Sequence, residues 1–160
     1  MSALTPDLVI NAYQQGYFPM ADSRNGTLRW YTADPRAIIP LDQFHMTRSL
    51  RQRLKRGDYH LSIDCAFKAV IEHCAENHES RPDTWINPQI IEVYTQLHQL
   101  GIAHSIEAWD YRGRLVGGLY GLAMGGAFFG ESMFSRATDA SKVCLARLVQ
   151  HLNARGFTLL

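Results

Sequence analysis

The chain concentrates its chemistry in residues 115–142, LVGGLYGLAMGGAFFGESMFSRATDASK, where Glu131 stands beside Met133 and Phe134 and is followed by Asp139, Ser141 and Lys142 at an expected helix start. A carboxylate, large apolar side chains and a cation thus fall close together along the chain. The same stretch carries Gly117, Gly118, Gly121, Gly125, Gly126 and Gly130 among residues that favour strands. Glycine weakens a strand through backbone entropy and a missing side chain, so such a cluster marks bulges, tight bends, or places where a ligand or another backbone comes close. These residues point to a binding surface on a glycine-opened sheet. A second group of candidates is cationic: Arg48, Arg51, Arg53, Lys55 and Arg56 lie within nine residues that contain no acid. Such a run is either a solvated helix face or a patch for phosphates, and the second reading gains weight where several cations face the same way.

Capping and periodicity give the elements that must position these residues. Thr5-Pro6 opens a helix with a capping hydroxyl and a proline at the first position, and Gly16 closes it. Residues 17–41 hold Phe18-Pro19-Met20, Trp30-Tyr31 and Asp34-Pro35-Arg36, whose prolines and aromatics suit a structured loop or edge strands. Thr47 caps the basic helix, with Leu50 and Leu54 as its inward stripe and Gly57 as its stop. From Tyr59 the pattern changes to a strand over 59–63, an Asp64-capped helix with Phe67, Val70, Ile71 and Cys74 on one face, and an acidic loop over 76–83. Asn87-Pro88 begins another helix, with Ile91, Tyr94 and Leu97 inward and Gly101 as its stop. Strand-like runs over 103–110, 114–121 and 126–130 read as a meander. A helix over 140–155, with Cys144, Leu145, Leu148 and Leu152 as its stripe, leads to a further strand over 157–160.

The fold class is α+β: a small N-terminal α/β domain over 1–57 with the basic helix, then over 58–160 an acetyltransferase-like (GNAT-like) mixed sheet with flanking helices. That likeness is an analogy at the level of fold. A coenzyme A acyltransferase on this fold needs a glycine-rich turn before the last helix to cradle a pyrophosphate. Residues 135–142, SRATDASK, contain no glycine, which disfavours that activity.

Composition narrows the function classes. The hydrophobic share of 46% and charged share of 19% are those of a globular protein, and no apolar run approaches the roughly 20 residues of a membrane span. The N-terminus has neither a basic leader nor a long apolar segment, so the expected location is cytoplasmic. Cys65, Cys74 and Cys144 form no close pair and read as free thiols. His73, Cys74 and His78 match no zinc spacing, so no metal is expected. A net charge of +1 leaves any nucleic-acid affinity to the local basic helix.

Taken in order, the motifs resemble one family, the bacterial leucyl/phenylalanyl-tRNA–protein transferases. The matching pieces are Tyr13 with Gly16-Tyr17-Phe18-Pro19-Met20; Trp30-Tyr31 with Asp34-Pro35-Arg36; Phe44-His45 with Arg48-Ser49-Leu50-Arg51; Asp83-Thr84-Trp85-Ile86; Tyr94 with Leu97-His98 and Gly101; residues 103–109; residues 115–121; and residues 128–135 followed by Ala140-Ser141-Lys142. They cover nearly the whole chain.

The resemblance implies transfer of Leu or Phe, with Met as a further candidate, from charged tRNA to the α-amine of proteins beginning with Arg or Lys. That marks the acceptor for degradation by the N-end rule pathway. The reaction is aminolysis of an ester and needs no cofactor. Its implied partners are aminoacyl-tRNA and the acceptor protein, with no membrane and no metal. By resemblance, Trp85 and Met20 hold the terminal adenosine; the family usually has Trp where this chain has Met20. Leu119, Phe128, Met133, Leu145 and Leu148 form the amino-acid side-chain pocket. Glu131 is the catalytic carboxylate near the reacting amine. Arg48, Arg51, Arg53, Lys55, Arg56, Arg136 and Lys142 lie along tRNA phosphates. The family continues past the final strand with an Asp-x-Gln motif, and Leu160 aligns with the position just before it, so the expectation is a catalytic domain lacking its C-terminal part. A non-catalytic binder of aminoacyl-tRNA or peptide is the alternative that this implies.

Overall fold

The computed structural model describes residues 4–78 and 81–160. Helix α1 (Pro6–Gln14) starts as its sequence requires: the Thr5 hydroxyl accepts from the Leu8 N–H, and Pro6 takes the first position, where no intrahelical donor is needed. Strands β1 (Phe18–Ala21) and β2 (Leu28–Tyr31) then pair as an antiparallel hairpin. Helix α2 (Arg48–Arg56) is capped by Thr47, whose hydroxyl accepts from the Leu50 N–H, and is closed by Gly57 in the left-handed region. Leu50 is its buried residue.

Strands β3 (His60–Ile63), β4 (Ala103–Trp109), β5 (Leu115–Met124) and β6 (Ala127–Ser135) form an antiparallel sheet in that order. Alternation along β5 divides the core. Tyr120 and Leu122 join α3 (Phe67–Cys74) and α4 (Pro88–Gln99) in one apolar cluster, while Leu119 joins α5 (Ala140–Ala154) in another. Val9, Tyr13 and Ala21 belong to the first cluster, and Leu41 and Leu50 to the second. The final residues run along the edge of β6. Thr158 donates to the Gly126 carbonyl at 2.9 Å and Phe128 donates to that of Leu159 at 2.9 Å. On their other side, Ile39 and Leu160 exchange both backbone hydrogen bonds. The strand expected over 157–160 is therefore a short ribbon between β6 and residues 39–41.

A bulge sets the geometry of the site. Leu119 pairs with Met133 and Tyr120 with Ser132, but Gly121 pairs with Gly130, so Glu131 is an extra residue on β6. Beside it the Phe128 ring lies against Gly121: a Cβ on Gly121 would come within 2.2 Å of the Phe129 carbonyl oxygen and 2.5 Å of the Phe128 ring. Gly117 has an analogous role at α5, where a Cβ would meet Ala140 at 2.5 Å.

Several expectations are corrected. Asp64 does not cap α3. Its carboxylate accepts from the Ser105 N–H at 2.9 Å and bonds His104 at 2.7 Å, while the Ala66 N–H at the helix start reaches Glu107 at 3.3 Å. The inward stripe of α4 is Ile90, Val93, Tyr94 and Leu97, and Ile91 is half-buried. Strand β6 does not stop at Gly130 but continues to Ser135, because its pairing with β5 resumes beyond the bulge. Of the acidic loop expected over 76–83, Glu79 and Ser80 lie outside the described residues.

Adding a methyl group where backbone and ring already touch forces the strands apart, so Gly121→Ala is expected to destabilise the fold by about 1–3 kcal/mol. Chemical denaturation of both proteins measures this.

Candidate active site

A cavity of about 620 Å³ opens beside the bulge. Leu119, Phe128 and Met133 from the sheet and Leu145 and Leu148 from α5 line it, so the residues read as a side-chain pocket converge. Residues 36–39 and Leu159 and Leu160 complete the walls. Glu131 lines the same cavity as its one carboxylate, and apart from Arg36, Ser132 and Tyr120 the remaining side chains around it are apolar.

The environment of Glu131 fixes its chemistry. Its Oε1 accepts from the Tyr13 hydroxyl at 2.5 Å, and that hydroxyl lies 2.7 Å from the hydroxyl of Tyr94. Since Tyr13 has one proton and gives it to the carboxylate, Tyr94 must donate to Tyr13. Burial drives the carboxyl up to about 7, while the Tyr13 bond and the Arg36 charge pull it down. Burial, reinforced by the Glu131 charge, pushes the Tyr13, Tyr94 and Tyr120 phenols well above their ordinary value. The phenols therefore stay neutral where Glu131 titrates. An acid with this value near neutrality can take up a proton and give it back, the requirement for general acid–base work.

The basic residues separate into two groups. Arg53 bonds Asp139 at 3.1 Å and Asp58 at 3.0 Å, tying α2 to the start of α5. Arg56 pairs with Asp58 at 3.3 Å, Lys142 with Asp139 at 2.9 Å, and Arg136 with Glu76. Arg48, Arg51 and Lys55 are exposed, and none has a carboxylate partner among the described residues.

Trp85 does not line the cavity. It is half-buried against the cluster containing α1 and α4, and its carbonyl accepts from the Ala21 N–H at 3.0 Å, which joins its segment to β1 next to Met20. Met20 is half-buried on the face of β1 that carries Phe18. Sequence reasoning assigned no role to Tyr13, Tyr94, Arg36 or the wall at 37–39. Tyr13 and Tyr94 looked like members of apolar helix stripes, and Arg36 was visible only as part of Asp34-Pro35-Arg36. Among the described residues no group of His, Cys, Asp and Glu could hold a metal ion, and no helix is long and apolar enough to cross a membrane.

Fold and site together define an α+β protein with an apolar slot edged by one titratable acid. The profile described as leucyl/phenylalanyl-tRNA protein transferase matches residues 38–160, and the one for the N-terminal domain of that protein matches 2–34. A leucyl/phenylalanyl-tRNA–protein transferase of Salinibacter ruber is 55% identical over 157 residues, covering 98% of this chain and 67% of that protein. One from Rubrobacter xylanophilus is 53% identical, covering 98% and 80%, and one from Hyphomonas neptunium is 52% identical, covering 97% and 60%. The chain therefore belongs to the leucyl/phenylalanyl-tRNA–protein transferase family, whose members are aminoacyltransferases. It spans between 60% and 80% of the length of these relatives. The structure of L-PGS from Bacillus licheniformis shares the fold at a TM-score of 0.50 and 14% identity, over 92% of this chain and 46% of that one.

Because Glu131 keeps its proton in the folded state up to about 7 but loses it near 4.5 when unfolded, its burial lowers stability progressively as pH rises between those values. Glu131→Gln is thus expected to be more stable than wild type at pH 8, by on the order of 2 kcal/mol. The advantage should vanish near pH 4.5, and urea unfolding at the two pH values measures it.

Proposed function

We propose that this chain transfers Leu or Phe, and by the same slot Met, from aminoacyl-tRNA to the α-amine of proteins beginning with Arg or Lys, marking them for N-end rule degradation in the cytoplasm. The observation that carries the reading is the convergence of Glu131 with the apolar residues of β5, β6 and α5 around one cavity. The slot takes the amino-acid side chain. Its thioether and leucine walls adapt to a branched aliphatic or an aromatic group, and a polar side chain would lose its water without gaining a partner there. Met20 and Trp85 hold the terminal adenosine, with the indole giving a stacking face. The sheet is an acetyltransferase-like one whose acyl donor is the tRNA ester.

In the reaction the acceptor amine attacks the ester carbonyl carbon. The C–N bond forms, the carbonyl π pair moves to oxygen, and Glu131 takes the proton from nitrogen. When the intermediate collapses, the bond to the ribose oxygen breaks and Glu131 returns the proton to that oxygen. The Tyr13 and Tyr94 hydroxyls hold the carboxylate in place. Much of the rate comes from placing amine against ester, which can supply several kcal/mol.

The test is transfer of labelled Phe or Leu from charged tRNA to a peptide beginning with Arg. Product is expected with Arg or Lys first and not with Asp first, and absence of product with every peptide contradicts the reading. The exposed Arg48, Arg51 and Lys55 serve the acceptor-stem phosphates. Replacing all three with Ala is expected to flatten the dependence of log affinity on log salt by about 2–3. Filter binding of tRNA across a salt series measures the slope.

A further inference from the structure

Arg36 stands at the mouth of the cavity, exposed, with its guanidinium carbon 5.3 Å from the Phe18 ring centroid and 5.6 Å from that of Phe129. No ion pair holds it among the described residues. Cation–π attraction to the two rings uses none of the N–H donors of the guanidinium, and among the described residues none of them is taken up by a hydrogen bond or ion pair. A cation steadied by two aromatic rings, with its donors free, is preorganised for an anionic oxygen.

Its position says which oxygen. Phe18 shares a face of β1 with Met20, on the side proposed for the adenosine. Phe129 lies on β6 two residues before Glu131, and both line the slot. Arg36 therefore bridges the place for the base and the place for the amino-acid side chain, where the ester joining them must lie. We propose that Arg36 is a catalytic residue that stabilises the oxyanion formed when the amine attacks this ester. The inference rests on the transferase reading above. As Glu131 takes the proton its charge disappears, and a charge of the same sign appears on the ester oxygen. One guanidinium beside both sites keeps its attraction throughout the step.

The test uses the full chain and two adenosine probes. One is a 3′-phenylalanylamido-3′-deoxyadenosine, planar at the carbonyl, and the other is its phosphonamidate counterpart, tetrahedral and anionic there. Calorimetry is expected to show the wild type binding the phosphonamidate at least 100-fold more tightly. Arg36→Ala should abolish that preference while leaving amide affinity within threefold, and Arg36→Lys should retain part of it, as a point charge without the fork. In tRNA-dependent transfer, Arg36→Ala should lower kcat by roughly 10²–10³ with KM and the salt slope unchanged. Equal loss for both probes, no loss for either, or a salt slope smaller by about 1 would overturn the inference; the last result would make Arg36 a phosphate contact. A wild type that binds the amide probe but shows no preference defeats the inference alone, and one that binds neither probe defeats the transferase reading with it.

Discussion

The site depends on one extra residue in a strand. Side chains alternate along a strand with period two, so Phe128 and Met133, five positions apart, would face opposite sides of a regular sheet. They line one cavity because the bulge at Glu131 resets the alternation between them. The same insertion leaves Glu131 without a cross-strand partner and lets its carboxylate reach Tyr13. Gly121 and Gly130 pair at the end of the bulge, and the missing side chain of Gly121 lets the Phe129 carbonyl and the Phe128 ring come close to its backbone.

That bulge also explains how distant elements are held to one another. Tyr13 comes from α1 and Tyr94 from α4, and the bond from the Tyr13 hydroxyl to Glu131 ties this pair of helices to β6. A half-buried carboxylate without donors would carry a desolvation cost, so a phenol beside it stabilises the fold as it orients the acid. The opposite wall has a comparable long-range tie: the backbone exchange between Ile39 and Leu160 fixes the segment that closes the slot. Arg53, bonded to both Asp58 and Asp139, does for α2 and α5 what Tyr13 does for α1 and β6.

What the sequence made legible follows from the range of each interaction. Caps at Thr5, Thr47 and Asn87 are local, and each side chain bonds the backbone three residues on, as its type and place imply. The strand glycines announced bulges and close approach but could not say which strand held the extra residue, since that depends on pairing. For that reason Gly130 reads locally as the end of a strand, and Glu131 as lying beyond it. Asp64 looked like a helix cap because its competing partners, Ser105 and His104, are some forty residues away. The membership of the side-chain pocket came from the family resemblance, because periodicity alone assigns Leu119, Phe128 and Leu148 to the core. The ion pairs that occupy Arg53 and Arg136 span 86 and 60 residues, beyond what any local pattern reports.

In the transfer proposed for this chain, specificity and proton transfer are linked through a single physical quantity, the exclusion of water from the slot. Apolar walls discriminate among side chains only while water is kept out, and the same exclusion raises Glu131 to about 7. Widening the slot to admit a polar side chain would rehydrate the carboxylate, lower its proton affinity and weaken it as a base. Narrowing it would bury Glu131 further and hold it protonated at neutral pH, where it could no longer accept a proton. On the proposed reading, such a chain is confined to apolar side chains of intermediate size, because the dryness that would select them also sets the acid where the proposed chemistry needs it.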